Sequence, residues 1–511
     1  MDKLEQLHVV SDLHLGGIPG AQIFNQGEAL AAVIDHLAQV APGQRVGLVL
    51  NGDIVDFLAS EDARHFDPEG APDKLRAIMR DPAFSPVFDA LGRFAHADDR
   101  VLVLVLGNHD VELALPDVQE VLIARICGGS AAARGRIRIA MDGTGYACFV
   151  GGRRVLCVHG NDTDPWNVVD HQALRDFIKA QNEGTPAKEL RANAGTRLVV
   201  DVMNGIKRLY PFVDLLKPET VPVPGVLLAL PARVHAPLLD FAKITLRLAY
   251  DKARSEAGFL GADGPAPPAP PADGYRALDL LVRGDAPKGD TAAAAATWLE
   301  QAESDFALEH RPLDVVGLDQ GSEMLGVGGL LWDKIRGNDT RDNLREALKK
   351  YLTGDRTFQA DTPDETFRAH DASIGPEVHF IVAGHTHLER QLPRKRGSGV
   401  YFNSGTWIRL IQIQSEQLES LPAFKPLYEA LSSGRLADLD AMTGLVLQRR
   451  TVVSIWVEGG DVHGELRHAR SAEEAARVAP SPPWESVGGT LFTSKVVSDP
   501  SGRRAPTKEA P

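Results

Sequence analysis

Short apolar runs alternate with polar, glycine-containing turns over the first 165 residues of the chain. The runs at 7–10, 46–50 and 101–106 each end in such a turn, which is typical of buried strands that deliver residues to a sheet edge. Apolar positions spaced three and four apart at 28–40 predict a helix between the first two strands. Further strands are predicted at 136–141, 147–150 and 154–158. This alternation predicts an α/β domain.

The same strand pattern returns near the other end of the chain, at 378–383, 400–402, 451–457 and 462–466. Between the two halves, residues 166–375 show mostly helical spacing, for example at 238–254 and 341–352. A Pro/Ala-rich linker near 262–274 cannot be helical. Residues 471–511 are rich in Pro, Ser, Gly and charge, so we expect a loose tail. The prediction is therefore one domain in two halves, 1–165 and 376–470, split by a mainly helical insertion.

Composition narrows the class of protein. Of the 511 residues, 43% are hydrophobic and 24% are charged, as in globular proteins. The start of the chain has no apolar run of the signal-peptide kind, and no run reaches the length of a membrane span. Three cysteines cannot form a disulfide framework, which favours a cytoplasmic protein. Cys148 and Cys157 lie in strand-like runs, so we expect them to be small core residues. A net charge of −14 argues against a nucleic-acid surface but not against a small anionic substrate at a metal site.

Five polar clusters fall at the ends of the strand-like runs, and they carry the candidate chemistry. The clusters are Asp12-Leu13-His14, Gly52-Asp53-Ile54-Val55-Asp56, Gly107-Asn108-His109-Asp110, His159-Gly160 and Gly384-His385-Thr386-His387. In an extended stretch, Asp12 and His14 would point to one side because side chains alternate. His385 and His387 would share a side for the same reason. An aspartate such as Asp53 can bridge two ions through its two oxygens.

These side chains offer mixed oxygen and nitrogen ligands, which suit two first-row divalent cations. Mn²⁺ is the first expectation, with Fe or Zn²⁺ as alternatives. Two metals about 3.5–4 Å apart stabilise the attacking and departing oxygens of a phosphoryl displacement and supply hydroxide near neutral pH. Any one cluster alone proves little, but five in this order predict a dinuclear centre that hydrolyses a phosphate ester or pyrophosphate bond.

The five clusters resemble the signature of the calcineurin-like metallophosphoesterases, D-x-H, G-D-x-x-D, G-N-H-[DE], H-G and G-H-x-H. The resemblance covers the first 165 residues and 376–470, and it implies a four-layer αββα sandwich with the clusters on loops along one edge. One metal would be bound by Asp12, His14, Asp53 and His387, and the other by Asp53, Asn108, His159 and His385. His109 would be the acid that protonates the leaving oxygen, and Asp56 would orient it.

Two local features refine the resemblance. Phe57 and Leu58 follow Asp56 where the protein serine/threonine phosphatases of this superfamily have Arg-Gly, so a protein phosphatase is not expected. Residues 11–17 and 403–407 are similar to the bacterial branch that includes the UDP-2,3-diacylglucosamine pyrophosphohydrolases. Those enzymes also carry a helical cap between the H-G and G-H-x-H blocks, but usually have Arg where His109 stands. We therefore expect a relative of that branch.

Several alternatives stay open from the sequence. Apolar segments at 226–230 and 238–248 fit either an ordinary helical core or a lid with a groove for a nucleotide- or lipid-linked substrate. Peripheral contact with a membrane is compatible with such a groove. The glycine-rich 326–329 is read as a turn, and the basic 394–396 as a solvated hairpin tip. A nuclease of the same superfamily, or a non-catalytic scaffold, is the competing function; an intact set of metal ligands argues against the scaffold.

Overall fold

The computed structural model describes residues 1–217, residue 226 and residues 340–496. Sixteen strands lie in these residues, and most of them form two sheets. The larger sheet has the order β15 (Trp484–Ser486), β14 (Asp461–Ala469), β13 (Thr451–Glu458), β2 (Gln6–Val10), β3 (Val46–Asn51), β4 (Arg100–Val105) and β5 (Ile137–Ala140), with β16 (Phe492–Lys495) also on β14. The smaller sheet has the order β1 (Asp2–Leu4), β6 (Tyr146–Val150), β7 (Arg153–Cys157), β8 (Val378–Ala383), β10 (Val400–Ser404) and β9 (Glu389–Pro393). A separate ribbon pairs β11 (Leu410–Ile411) with β12 (Val446–Leu447).

The helices lie between and after these strands. They are α1 (Gly27–Gln39), α2 (Ala71–Arg80), α3 (Ser85–His96), α4 (Pro116–Cys127), α5 (Ala131–Arg134), α6 (His171–Glu183), α7 (Ala194–Leu198), α8 (Asn204–Lys207), α9 (Thr340–Leu352), α10 (Glu365–Ser373), α11 (Leu421–Ser433), α12 (Leu436–Asp440) and α13 (Ala472–Val478). One turn of π-helix spans Val199–Met203, and 3₁₀ turns span Phe57–Ala59, Val111–Ala114, Asn161–Thr163, Pro211–Asp214 and Ser415–Leu418. In the described residues, no helix combines the length and the apolar character that crossing a bilayer requires.

The two sheets pack face to face, and helices cover their outer faces. Leu7 and Val9 of β2 pack in one buried cluster with Phe380 and Phe402 of the smaller sheet. Val10, on the other face of β2, packs in the cluster that contains the apolar sides of α1, α3 and α4. On the far side, Phe367 of α10 packs against β8 and β10. These layers confirm the predicted four-layer αββα sandwich, and the alternation along β2 explains how one strand serves two cores.

Parallel pairing brings the predicted clusters to one edge of the sandwich. Strands β2, β3 and β4 are parallel neighbours, so their carboxyl ends meet at the same edge. Strands β7, β8 and β10 are also parallel neighbours in the second sheet. The N–H of Gly384 donates to the carbonyl of His159 over 2.8 Å, which joins the loops after β7 and β8. Loops from both sheets therefore converge at this edge.

The described parts of the predicted insertion are helical. They contain α6 to α10, and α9 occupies the predicted helix at 341–352. The helix predicted at 238–254, the linker near 262–274, the turn at 326–329 and the apolar segments beyond Val226 lie outside the described residues. Val226 itself is helical and buried.

The structure corrects the expectation of a loose tail from residue 471. Helix α13 begins there, with Ser471 and Glu474 forming a capping box, and β15 and β16 both pair with β14. The polar residues in this segment lie on edge strands, where one face meets solvent, so the composition resembled that of a tail. The second half of the sandwich therefore extends to at least Lys495, and 497–511 lie outside the described residues.

Arg394 corrects a second expectation. The hairpin of β9 and β10 places residues 394–396 at its tip, as predicted, but Arg394 is buried rather than solvated. Its guanidinium pairs with Asp371 over 3.1 Å and donates to the carbonyls of Ile374 and Gly375. Cys148 and Cys157 are buried, as predicted, and Cys127 is buried as well.

Candidate metal centre

The backbone of the candidate ligands adopts an unusual conformation. Asp12, His14, Asp53, His385 and His387 have φ angles of 53°, 46°, 49°, 70° and 61°, and they make up five of the eight non-glycine residues with positive φ in the described chain. The expectation that Asp12 and His14 share a side through extended alternation is therefore wrong in its geometry. The loop turns because the N–H groups of Leu13 and His14 both donate to the carbonyl of Asp53, at 2.9 Å each. Such residues cost stability and cluster at functional sites.

Three groups of His and Asp side chains come together at this edge. They are Asp12, His14 and His387; Asp53, His159 and His385; and His14, Asp56 and His109. We call the first group the inner cluster and the second the outer cluster. Both consist of predicted metal ligands, and the third contains the predicted acid and its partner.

Three distances within the clusters match those between two ligands of one ion. Two atoms bound to one ion at about 2.0–2.2 Å lie about 2.8–3.6 Å apart in tetrahedral or octahedral geometry. In the inner cluster, Nε2 of His14 lies 3.1 Å from Nε2 of His387, which in turn lies 3.4 Å from Oδ1 of Asp12. In the outer cluster, Nε2 of His159 lies 3.2 Å from Oδ2 of Asp53. A cation shared by His14 and His387 would satisfy the lone pairs on their facing Nε2 atoms.

Asp53 connects the two clusters through one oxygen. Its Oδ2 lies 3.7 Å from Nε2 of His14 and 3.2 Å from Nε2 of His159. Its Oδ1 instead accepts the backbone N–H of His109 over 2.9 Å. The prediction that both oxygens would bridge is thus modified: one oxygen faces both clusters and the other fixes the Asn108–His109 turn.

Asn108 completes the donor set. Its Oδ1 is buried and has no hydrogen-bond partner among the described residues, whereas its Nδ2 donates to Oδ1 of Asn167 over 3.4 Å. A buried carbonyl oxygen without a donor is costly, and a divalent ion would satisfy it. The residues present therefore fit two divalent metals.

Glycines allow the ligands to approach one another. A Cβ on Gly52 would lie 2.3 Å from Nδ1 of His159, and one on Gly107 would lie 2.1 Å from Oδ1 of Asp53. Gly52 also has φ +86°, which other residues rarely adopt. The glycines of these motifs therefore serve close packing as well as turning.

Charges in the site shift several pKa values. Burial alone would raise the pKa of Asp53, but His159, His109 and His14 hold it well below its usual range. Burial alone would lower the pKa of His159, yet Asp53 and Asp12 raise it to about 10. Burial and the charge of Lys217 lower the pKa of His387 to about 3. The centre thus holds buried carboxylates that need positive charge, from protons or from metal ions.

His109 lies beside the inner cluster, with its side chain 18% exposed. Its Nδ1 is 3.3 Å from Oδ1 of Asp56, and Oδ2 of Asp56 is 3.2 Å from Nδ1 of His14. The N–H groups of Leu58 and Ala59 fix the same carboxylate. Burial alone would lower the pKa of His109, but Asp56 and Asp53 raise it to about 9. Asp56 therefore orients two imidazoles at once.

Sequence reasoning missed Asp164 and Asn167. Oδ2 of Asp164 lies 3.1 Å from Nε2 of His385, and Nδ2 of Asn167 donates to the same Oδ2 over 2.6 Å. Asn167 also accepts from Asn108, so the loop after the H-G block contacts two candidate metal ligands, His385 and Asn108. The only available signal was their place a few residues beyond His159.

Comparison with known proteins gives one match. Residues 6–210 match the family model described as calcineurin-like phosphoesterase, a segment that contains Asp12, His14, Asp53, Asn108 and His159. No curated protein and no solved structure matches the chain. The match covers less than half of the chain, and with the sandwich fold and the His/Asp clusters it shows that the chain is similar to metal-dependent phosphoesterases.

Proposed function

We propose that the protein is a dinuclear-metal phosphodiesterase or pyrophosphohydrolase that acts on a small, nucleotide- or lipid-linked phosphorylated substrate. The observation that carries the proposal is the convergence of two ligand clusters on one oxygen of Asp53. Two ions that share a carboxylate oxygen lie close enough to act on one phosphoryl group. Mn²⁺ is the proposed metal, with Fe or Zn²⁺ as alternatives.

Each metal has a proposed ligand set. The inner set is Asp12, His14, Asp53 and His387, and the outer set is Asp53, Asn108, His159 and His385. When bound, the two ions would polarise the phosphoryl oxygens and provide hydroxide near neutral pH. The chain's own contribution is to fix these ligands in buried loops before any metal arrives, which is the basis of tight and selective binding.

His109 is the proposed general acid. Its Nδ1–H donates to Asp56, which leaves Nε2 for the oxygen of the leaving group. The carboxylates of Asp56 and Asp53 raise the pKa of His109, which favours the imidazolium in the metal-free protein. A proton held at Nε2 can pass to the leaving oxygen as the P–O bond breaks.

The segment after Asp56 supports a substrate other than a phosphoprotein. Phe57 and Leu58 are buried in the 3₁₀ turn that follows, so this loop offers no side chain to clamp a phosphate. The resemblance of residues 11–17 and 403–407 to the pyrophosphohydrolase branch supports a pyrophosphate or diester bond.

A metal-supplemented screen tests the proposal. The purified full-length protein is stripped with a chelator, reloaded with Mn²⁺, and assayed on bis-p-nitrophenyl phosphate, p-nitrophenyl phosphate, cyclic nucleotides and nucleotide-diphosphate lipids. We expect about two metals per chain and hydrolysis of at least one diester or pyrophosphate only in the reloaded sample. A folded protein that binds no metal, or that acts only on monoesters, would contradict the proposal.

A further inference from the structure

The loop after β7 links two candidate ligands of the outer metal, His385 and Asn108, through hydrogen bonds. Asp164 lies at its centre. Its Oδ1 accepts the N–H of Trp166 over 2.9 Å, and its Oδ2 faces Nε2 of His385 at 3.1 Å and accepts Nδ2 of Asn167 over 2.6 Å. Oδ1 of Asn167 in turn accepts Nδ2 of Asn108 over 3.4 Å. Four side chains, from Asn108 to His385, therefore form one hydrogen-bonded series.

The carboxylate of Asp164 fixes the direction of every hydrogen bond in this series. A carboxylate only accepts, so Nε2 of His385 carries the proton and Nδ1 of the same ring keeps the lone pair that can bind a metal. For the same reason, Asn167 turns its NH₂ group to Asp164 and its carbonyl oxygen to Asn108. Asn108 must then donate through its own NH₂ group. This leaves Oδ1 of Asn108 as the buried oxygen that has no donor among the described residues.

An asparagine ligand needs such a constraint because the two ends of its amide differ in polarity. Rotation about χ2 by 180° exchanges the oxygen and the NH₂ group, which are nearly equal in size. The oxygen binds a cation, whereas the NH₂ group carries partial positive charge and repels one. A carboxylate ligand such as Asp53 offers an oxygen in either orientation. The orientation of the Asn108 amide thus decides whether this position binds metal.

Helix α7, in the predicted insertion, packs directly on Asn167. The N–H of Gly195 donates to the carbonyl of Trp166 over 2.8 Å, and Nδ2 of Asn161 donates to the carbonyl of Asn167 over 2.9 Å. A Cβ on Gly195 would lie 2.1 Å from Oδ1 of Asn167 and 3.2 Å from the carbonyl oxygen of Trp166. Gly195 lies within the helix, so its lack of a side chain serves this close contact and not an unusual backbone angle.

We propose that Asn167 is a positioning residue for the outer metal site, which transmits the polarity of Asp164 to Asn108 and so presents the carbonyl oxygen of Asn108 as the ligand atom. This inference rests on the proposed function, because it concerns the binding of the proposed metals. The contact with Gly195 holds Asn167 in place. The first residues of the predicted insertion therefore belong to the metal centre itself.

A double-mutant cycle separates amide orientation from a general loosening of the loop. Asn167→Ala should weaken the binding of one Mn²⁺ by about 10–100-fold, the range for loss of a partner to a metal ligand, and leave the other site unchanged. Asn108→Asp replaces the amide with a carboxylate, which needs no orientation. Adding Asn167→Ala to Asn108→Asp should therefore weaken Mn²⁺ binding by no more than about twofold. Calorimetric titration of the metal-free, full-length protein with Mn²⁺ measures each step.

Gly195→Ala tests the contact from α7 without removing a polar group. The added methyl group should displace Asn167 and weaken the same Mn²⁺ site, although Ala favours a helix over Gly by about 0.5–1 kcal/mol. In the Asn167→Ala background, Gly195→Ala should cause no further loss. Gly135→Ala at the end of α5 is the matched control and should leave both sites unchanged, because the nearest atom to its Cβ is at 3.4 Å, an ordinary contact.

Thermal unfolding of the metal-free proteins checks that each variant is folded, and Asn167→Ser replaces Asn167→Ala if the latter is not. Unchanged Mn²⁺ binding in the folded variant would overturn the inference. So would equal weakening by Asn167→Ala in the wild-type and Asn108→Asp backgrounds, or equal weakening of both metal sites; each of these results leaves the proposed function intact. A wild-type protein that binds no Mn²⁺ would instead reject the proposed function, and this inference with it.

Discussion

One imidazole of the inner cluster, His14, and one of the outer cluster, His385, are held in different ways, whereas His159 of the outer cluster faces the carbonyl of Asn51 in β3. In the inner cluster, Nδ1 of His14 faces Asp56, whose side chain is 5% exposed and bound by backbone N–H groups of the following turn. In the outer cluster, Nε2 of His385 faces Asp164, whose side chain is 33% exposed and lies on the loop after His159. Asp56, which supports His14, is part of the core, whereas Asp164, which supports His385, lies on a surface loop.

This difference separates two kinds of preorganisation. A carboxylate inside the core keeps its position as long as the sandwich is folded, whereas a loop carboxylate depends on local contacts such as that with Asn167. Partners of metal-bound histidines tune metal affinity, so the outer site should be the weaker and more exchangeable of the two. The predictions below test whether the clusters act as one centre or as two unequal sites.

The largest effect is expected at Asp53, because this residue belongs to both clusters. Asp53→Asn should abolish hydrolysis and lower the metal content below two per chain. It should also lower Tm, since bound metal stabilises the native state by about 2.7 kcal/mol at a hundredfold excess over Kd. Metal analysis and calorimetry measure these changes, with the exposed Asp117→Asn as control. Retention of full metal and activity would show that the clusters do not share this ligand.

The next largest effect is expected for substitution of His109, which should separate the loss of acid catalysis from the loss of bound metal. His109→Asn should leave both metals in place and lower kcat by roughly 10²–10⁴, the usual scale for loss of a general acid. The loss should be smaller for p-nitrophenyl than for alkyl leaving groups, because a good leaving group needs little protonation. If both leaving groups suffer equally, His109 only positions the phosphate. Steady-state kinetics on matched aryl and alkyl diesters measures this.

Asp164 tests the inequality of the clusters directly. Asp164→Asn should weaken one metal site by about 10–100-fold, the usual range for loss of a partner to a ligand, while the other site keeps its affinity. Calorimetric titration of the metal-free protein should then resolve two unequal steps. Asp162→Asn changes the same charge on the same loop, where it faces His370 instead, and should have no such effect. Equal weakening of both sites would remove the distinction between core and loop support.

Backbone strain gives the smallest expected effect. Asp12→Gly and Asp12→Ala both remove the carboxylate, but only Gly adopts φ 53° without cost. Gly loses more conformational entropy on folding than Ala, and this cost offsets part of the relief of strain. We therefore expect the metal-free Gly variant to be about 0.5–1 kcal/mol more stable than the Ala variant. The pair His385→Gly and His385→Ala makes the same comparison in the outer cluster. Urea denaturation measures both, and a more stable Ala variant in either pair would argue against strain there.

Much of the fold, and the meeting of the seven candidate ligands at one edge, could be predicted because each leaves a pattern in the sequence. Strand β3 is a continuous apolar run that ends in Gly52-Asp53, so both the strand and the ligand at its end are visible. The structure brings all seven predicted ligands to one edge, although the metals they would hold remain a prediction. The five motifs, taken in their order along the chain, predicted the fold class. A single motif would not have been enough to do so.

The remainder could not be predicted because it depends on contacts between distant residues. Asp164 is one polar residue in a polar loop, and its importance comes only from the position of His385, 221 residues away. Strand β16 looks like a tail because its ordering contacts, with β14, Phe380 and Arg153, all come from distant parts of the chain. The burial of Arg394 likewise needs Asp371 and three carbonyls that no local pattern announces.

The separation of the ligands along the chain has a consequence for protein synthesis. Asp12 and His385, which share a hydrogen bond, are 373 residues apart. At a translation rate of about 5–20 residues per second, the ribosome needs about 20–75 s to make the intervening chain. During that interval β2 lacks β13, its neighbour in the finished sheet, and the nascent chain presents Asp12, Asp53 and His159 without His385 and His387. On the proposed ligand set, both metal sites are complete only after His387 has been made, so an ion bound earlier would occupy an incomplete site.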